Sequence, residues 1–519
     1  MTSLSKKQWL LAVGLTAAVL GIQLSSIARP YLGHFASYQG TVMAAISRNM
    51  LRENFSQILL PKTDLVIGGE RSLHLNQYPF PSLIAALGTR YLGGTLEFWG
   101  RFQAVVFNFF TILLIALIAE QLFNIQVAWI AAAVYALSPF SLIYGQCFMS
   151  EAMALFFLLL AFHGMLKSGR MQLDVHAAAA SGVAFSVALT GRIHFLAFYP
   201  IFFFHFLLCG HARRVLKIVS FTSTMLLLPC LWYGFAYFVS KSSSHVMTSV
   251  SLQSGYWKFL DGSFLKSAEY WKKILDLFSQ NLLTPLLFPF LPLGWILMEK
   301  KGRTFWICLG GFLLGSAVTV LWPQKVWEQD FYLYGAFPFA VLLAAFGIHE
   351  VFERFPKLKT PGVLVFFLLL YLGISTRYFL HPIYKYPKED SRIVPIGERV
   401  RKSTPAEARL IVAGNDPTSL FYYAGRPGWT LEFQEIGKSL LLFRDHAKRS
   451  RVNPRELEGL EAAMKDAVSW FNFLKGQGAS YLVTANKKDL ESQPLLLKHL
   501  QKNYQKLSKD SDDFYFFKL

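Results

Sequence analysis

An α-helical polytopic membrane protein carrying a small α/β domain outside the bilayer is the fold class this sequence predicts, and three observations predict it. Of 519 residues, 53% are hydrophobic and only 16% charged, against about a quarter charged in a soluble globular chain. The apolar residues gather into runs close to the ~20 residues a helix needs to cross a bilayer. From about residue 385 this pattern stops and a polar, alternating one begins.

The first element is MTSLSKKQWLLAVGLTAAVLGIQLSSIARP, with a basic start and an apolar middle. Its middle is longer than the core of a secretory signal and no clear A-x-A site ends it, so it reads as an uncleaved span over 9–28. Further apolar runs at 103–123, 126–144, 149–166, 175–191, 193–210, 215–239, 282–298, 304–322, 331–350 and 361–381 bring the expectation to about eleven helices.

Charge sets the orientation. Lys and Arg number 51 against 32 acids, a formal net charge of +19. Much of the excess lies in short clusters: Lys6 with Lys7, KSGR at 167–170, HARR at 211–214, EKKGR at 299–303 and ERFPKLK at 353–359. These fall on alternate turns of an eleven-span chain, as the positive-inside tendency requires, and that placement argues against a nucleic-acid partner. The N-terminus is then cytoplasmic and the C-terminus outside. Residues 29–102, 145–150, the 191–194 turn, 240–281, 323–330 and the chain after 382 share the outer face.

The segment 29–102 is a long outer loop, and loops beyond about 15 residues are usually functional. Within it VMAAISRNMLREN spaces Val42, Ile46, Met50 and Leu51 along one helical face and Arg48 and Arg52 along another. This predicts an amphipathic helix lying in the membrane interface. Beyond 385, ARLIVAG and ASYLVTA read as strands, LEGLEAAMKDAVSWFNFLK as a helix, and DFYFFKL closes the chain. The domain expectation is a membrane domain over 1–384 and an α/β domain over 385–519. The four cysteines, Cys147, Cys209, Cys230 and Cys308, show no CxxC spacing and read as small buried hydrophobes.

Ionisable groups at membrane depth are costly and mark function by default. The outer-face set comprises Asp64, His74, Gln77, Tyr78, Glu151, Arg192, His194, Asp330 and Tyr332. Each has a plainer reading beside it. Glu151, opening a span in GQCFMSEAMALFF, suits a helix N-terminus through the dipole as well as a substrate contact. Arg192, in ALTGRIHFLAFYP, suits a snorkelling side chain as well as a cation that grips phosphate oxygens bidentately. His194 reads as a satisfied interfacial histidine. Glu328 and Asp330, in WEQDFYLYGAFP, suit N-cap acids. Pro79 and Pro81 rigidify the turn that leads into the next helical segment.

The order of these pieces resembles the PMT/ArnT-like class of GT-C glycosyltransferases, over nearly the whole chain. The likeness rests on one basic-flanked span, a long outer loop with an ISRNM-type helix, a Pro-rich turn into LIAALGTRYLGG, the Arg of GRFQAVVFN, SPFSLIYGQCFMSEAMALFFLLLAF, QDFYLYGAFPFAVLLAA and an α/β tail. The resemblance implies a membrane enzyme that takes a sugar from a polyprenyl-phosphate carrier, such as a dolichyl-phosphate sugar, and passes it with inversion to an envelope lipid, glycan or protein acceptor on the outer face. It implies Arg192 near the carrier phosphate, Gln77 and Tyr78 at a place some relatives fill with a histidine pair, Glu151 as a family acid, and Asp330 with Tyr332 as a polar-aromatic pair. It also suggests a bacterial inner membrane with the tail in the periplasm. No metal-ligand spacing stands out among the acids, no cofactor is assigned, and metal dependence is left open.

In the family the Asp that serves as base follows the first span, and here Ser37, or Gln39 in a shifted register, stands at that place. Neither offers a carboxylate. Asp64 or Glu151 supplies the base, or the acceptor is already anionic, or the chain has lost transfer and binds lipid-linked sugar as a partner subunit. A transporter is the remaining rival, disfavoured by the one-sided polar set and the absence of a repeat.

Overall fold

The computed structural model describes residues 19–32, 35–67, 69–168, 174–209, 213–243, 245–247, 262–299, 302–380, 390–414, 417–431 and 466–519. Parts of the first span, of the basic clusters at 167–170, 211–214 and 299–303, and of the helix expected over 457–475 lie outside these residues.

In chain order the elements are α1 (Phe35–Arg52), β1 (Lys62–Ile67), β2 (Glu70–His74), α2 (Phe80–Leu92), α3 (Leu96–Leu122), α4 (Ile125–Leu137), α5 (Pro139–Tyr144), α6 (Glu151–Ser168) and α7 (Asp174–Gly191). They continue with α8 (Tyr199–Cys209), α9 (Arg214–Ser242), β3 (Val246–Met247), α10 (Ala268–Asp276), α11 (Thr284–Leu287), α12 (Phe290–Leu297), α13 (Arg303–Ser316), α14 (Val318–Leu321), α15 (Pro323–Glu328), α16 (Phe337–Arg354) and α17 (Pro361–Ile374). The last are α18 (Ile393–Ser403), β4 (Leu410–Ala413), α19 (Pro417–Ala424), β5 (Gly428–Leu431), α20 (Ala467–Gly476), β6 (Tyr481–Thr484), α21 (Lys487–Glu491), α22 (Pro494–Asn503), β7 (Gln505–Lys506) and β8 (Phe516–Lys518).

Two compact units result: one of residues 1–28, 101–233 and 256–384, and a second of 29–100, 234–255 and 385–519. The first is helical. Among the described residues α3, α6, α9 and Arg303–Leu321 are each long and apolar enough to cross a membrane, and Ala268–Leu282 with Thr284–Leu297 form a fifth candidate bent by 94°. Several other apolar runs are cut into shorter pieces. The run at 193–210 starts as a 3-10 turn, Ile193–Phe198, before α8, and the one at 331–350 starts as Asp330–Gly335 before α16. Hydropathy does not register such breaks, because they change backbone hydrogen bonding and not side-chain polarity.

Glycine fixes how closely these helices cross. A Cβ on Gly294 of α12 would sit 1.9 Å from the Leu343 carbonyl oxygen, and one on Gly347 of α16 would sit 2.4 Å from the Phe290 oxygen. The two backbones touch, as small residues permit between membrane helices. Gly294→Ala is therefore expected to destabilise the helical unit by about 1–3 kcal/mol through overpacking. Thermal unfolding in detergent checks this, and an unshifted transition would mean that the crossing has room to relax.

The expectation of uniformly buried cysteines is corrected. Cys308 is buried, but Cys147 is half-buried and Cys230 is exposed, all three as free thiols. Cys230 lies on the outward face of α9, where an apolar thiol needs no cover in a lipid-facing helix.

In the second unit the strands form one mixed sheet in the order β3-β2-β1-β5-β4-β6-β8-β7. The central pairs β1·β5, β5·β4 and β4·β6 are parallel, while β6·β8 and β8·β7 are antiparallel. LIVA of β4 and YLVT of β6 are buried throughout, as strands covered on both faces must be. Their alternate residues divide between two cores, Ile411, Ala413 and Leu482 on one side, Leu410, Val412 and Val483 on the other. ARLIVAG and ASYLVTA thus hold the strands expected of them, and DFYFFKL adds β8. β1 and β2 were not expected: KTDLVI and ERSLH of the outer loop pair as a hairpin within the same sheet.

α1 is the helix its spacing indicates, but it does not lie in an interface with one face bare. Most of its described side chains are buried, and it packs against α2, β1 and α19. Its polar residues find partners inside the unit. Ser47 Oγ donates to the Ser82 carbonyl (2.9 Å), and Asn49 Nδ2 donates to the Lys62 carbonyl (2.9 Å). Such satisfied polar groups are no obstacle to burial.

Candidate functional site

The outer-face residues fall into two groups, one in each unit. In the helical unit, Glu151 is the first residue of α6 and Arg192 follows the last residue of α7, so the antiparallel packing of the two helices brings their ends together. Ser150 Oγ donates to the Gly191 carbonyl (3.3 Å), tying the two chain turns beside them. Arg192 Nη2 donates to Glu151 Oε1 in an ion pair, with the acid almost wholly buried and the Arg side chain 14% exposed. The guanidinium also lies over the Phe331 ring, 5.0 Å from its centroid. Glu151 Oε2 is buried with no hydrogen-bond partner among the described residues.

Arg192 does not snorkel away to water, since a carboxylate and an aromatic face hold it in place. Glu151 does begin a helix, yet its first oxygen is spent on Arg192 and its second is left to accept from something else.

The turn Asp330–Gly335 carries the aromatic wall. Phe331 stacks on Tyr332 at 5.0 Å, and Tyr332 lies 5.2 Å from the His194 ring. His194 is not the satisfied histidine expected, because its Nε2 is buried without a partner among the described residues. Asp330 is not an N-cap: Gln329 occupies that position without capping, and the Asp330 carboxylate instead accepts from the Tyr144 hydroxyl and from Asn281 Nδ2, the latter at 3.2 Å. Glu328 pairs loosely with Lys325 at 3.8 Å and accepts from Gln324. Tyr144, Asn281 and Phe331 are members of this cluster that sequence reasoning missed. Nothing in their local spacing marks them, since each belongs to an ordinary apolar or amphipathic stretch.

In the second unit, Asp64 stands on β1 where the register with β2 shifts between Lys62 and Val66. It is buried, and its Oδ2 takes Nη2 of Arg48 in an ion pair. Asn49 Nδ2 approaches Oδ1 at 3.5 Å. Arg48 in turn donates to the Tyr422 carbonyl and lies over the Tyr422 ring at 4.9 Å. Burial, and then Glu97, push the Tyr422 phenol well above its ordinary pKa, so it remains a donor to Glu97 Oε1 at 3.0 Å. The Arg48 partnership is the main feature that the sequence did not announce, although the spacing had put Arg48 on a separate face of its helix.

Gln77 is buried, its Nε2 3.7 Å from Met43 Sδ, while Tyr78 meets the Phe80 ring at 6.4 Å. His74 ends β2 and donates its backbone N–H to the Pro61 carbonyl. Pro79 and Pro81 flank the start of α2, as a rigid turn into a helix requires. Ser37 and Gln39 lie within α1. Among the described residues no three His, Cys, Asp or Glu side chains gather as a metal site would need.

Set against known proteins, the chain matches no family model and no curated protein sequence. It does match solved structures. ArnT from Cupriavidus metallidurans bound to undecaprenyl phosphate aligns over 99% of this chain and 98% of its own, with TM-score 0.65 and 13% identity. The archaeal oligosaccharyltransferase AglB from Archaeoglobus fulgidus, in complex with an inhibitory peptide and a dolichol-phosphate, aligns over 93% of this chain and 70% of its own, with TM-score 0.56 and 13% identity. The arabinofuranosyltransferase AftD from Mycobacteria aligns over 100% of this chain but 40% of its own, with TM-score 0.58 and 16% identity. At such identities the likeness is one of fold alone, a fold shared with these three solved structures.

Proposed function

We infer that this chain is an integral membrane glycosyltransferase of the PMT/ArnT-like class, moving a sugar from a polyprenyl-phosphate carrier to an envelope lipid, glycan or protein on the outer face of a bacterial inner membrane. The N-terminus is cytoplasmic, the spans lie within 1–384, and 385–519 are periplasmic together with the outer loop that shares their sheet. Support comes from the shared fold and, above all, from one observation: a buried carboxylate with one oxygen on Arg192 and the other without a partner among the described residues.

That geometry supports the following roles. Arg192, oriented by Glu151 and Phe331, takes the carrier phosphate on its guanidinium and offsets the charge that grows there as the bond to the sugar breaks. Acceptor oxygen attacks the anomeric carbon from the opposite side, the phosphate departs with the bonding electrons, and configuration inverts. When the acceptor is a neutral hydroxyl its proton passes to Glu151 Oε2. Asp64 already holds Arg48 and is the weaker candidate for that task. Asp330 and Tyr332, in the same unit, contribute substrate contacts.

One observation favours a second reading, a non-catalytic partner subunit that binds lipid-linked sugar: the stretch FASYQGTVMAAISRN at 35–49 contains no carboxylate. Mass spectrometry of envelope lipids and glycans separates the two. Cells lacking the gene are expected to lose one defined sugar modification, restored by wild type and not by Glu151→Gln. Restoration by both would take the base role from Glu151, and no glycan change at all would leave transfer without support.

A further inference from the structure

In the second unit, arginines from α1, β2, α18 and the turn after α19 gather where two helices end. Arg52 closes α1 with Arg48 one turn before it, Arg71 lies on β2, Arg401 is in the last turn of α18, and Arg426 follows α19 past Gly425. A Cβ on Gly425, at φ 64°, would stand 3.5 Å from Arg52 Nη2, 3.8 Å from Arg48 Nη1 and 3.9 Å from Arg401 Cδ. Three arginine side chains therefore border the bare face of one residue. Folding accounts for Arg48 and Arg426. Arg48 is held by Asp64 and the Tyr422 carbonyl. Arg426 is 7% exposed and closes the end of α18: its Nη2 donates to the Arg401 and Thr404 carbonyls (3.0 and 2.8 Å) and its Nε to Thr404 Oγ1 (3.2 Å). Arg52 and Arg401 are exposed. Arg52 donates to the Gly425 carbonyl at 3.2 Å, and the Arg401 guanidinium has no hydrogen-bond or ion-pair partner among the described residues.

Carbonyl contacts satisfy N–H groups but leave the charge in place. Arg52 feels the cations Arg48, Arg71 and Arg426 against the one acid Asp64, and Arg426 feels Arg401 and Arg48 against Glu407. Partial desolvation, and then the Arg48 charge, lower the Arg52 guanidinium to about 10. Five guanidiniums thus face two carboxylates. The C-terminal ends of α18 and α19 supply roughly half a negative charge each, which leaves about two positive charges without a counterpart. Such an excess works against the fold, since like charges repel, and a bound dianion removes it. We propose that Arg52 and Arg401, backed by Arg48 and Arg426, bind a phosphate monoester, carried on a lipid headgroup or present as the free ion. A monoester carries about −1.5 to −2 near neutral pH and so fits the excess better than a singly charged diester. Its oxygens are gripped bidentately by the guanidinium N–H groups that the fold leaves open. The site belongs to the other unit from Glu151 and Arg192 and does not rest on the transfer reading.

The full-length protein in maltoside detergent, which carries no phosphate, is titrated at constant ionic strength with inorganic phosphate, phosphatidic acid or phosphatidylglycerol while its unfolding temperature is followed. Saturable stabilisation by a monoester, with the midpoint raised about tenfold or more in Arg52→Gln with Arg401→Gln, is expected. Such a response to inorganic phosphate identifies the free ion, and one to phosphatidic acid alone identifies a lipid. Phosphatidylglycerol acting at the same concentrations as phosphatidic acid overturns the monoester assignment. A wild type that no titrant stabilises, or a variant that responds like wild type, overturns the site itself. Should the double variant not fold, Arg401→Gln alone decides, because it breaks no hydrogen bond or ion pair among the described residues: a raised midpoint supports the site and an unchanged one sinks it.

Discussion

Replacing Arg192 with Ala is expected to lower sugar transfer by about 10²–10³-fold, the usual loss when a preorganised donor to developing charge is removed. The guanidinium is fixed on one edge by Glu151 and on one face by Phe331, so little reorganisation is needed when phosphate arrives. Arg192→Lys keeps the charge and loses the planar fork, and is expected to recover only part of the activity. The single Ala variant also leaves Glu151 as an unpaired buried carboxylate, which costs about 3–5 kcal/mol. Arg192→Met combined with Glu151→Gln removes both charges and tests donor binding in a protein that still folds. Titration of each variant with polyprenyl phosphate in detergent is the check. Undiminished affinity in the Arg192 variants would remove this residue from the donor site.

Breaking the Arg48–Asp64 pair is expected to act on stability instead. Asp64 is 3% exposed on its side chain and Arg48 18%, so the pair belongs near the lower end of the ~3–5 kcal/mol typical when one partner of a buried pair is lost. Asp64→Asn and Arg48→Met should each destabilise the second unit by about 3 kcal/mol, and the double variant should cost clearly less than their sum. Thermal unfolding of the four proteins measures the coupling, and transfer assays run beside it. Asp64→Asn with wild-type stability and no transfer would make Asp64 the base and displace Glu151 from that role.

Much of the fold was legible in the chain because it depends on local order. Apolar runs of bilayer length, the 3.6-residue spacing of VMAAISRNM and the short strands LIVA and YLVT each carry their signal within a few residues. The outer loop shows where local reading stops. Its KTDLVI and ERSLH are strands only because β5 lies beside β1 to receive it, and a lone hairpin is marginal without such support. Burial of α1 on most of its sides likewise depends on what α2, β1 and α19 offer its polar groups.

By itself, then, the sequence determined the class of protein, the residue types gathered at membrane depth and the absence of a carboxylate around Ser37 and Gln39. Which of those residues meet was decided by tertiary structure alone. Glu151 and Arg192 are 41 positions apart and Tyr144 and Asp330 186 apart. Their meeting depends on helix crossings as close as that of Gly294 with Gly347, where the packing of backbones, rather than any local pattern, sets which helix ends come together. The same holds for Arg48 and Asp64, joined because α1 packs against the bulged strand β1. Side-chain pairing over such spans is a property of packed geometry, and no periodicity encodes it.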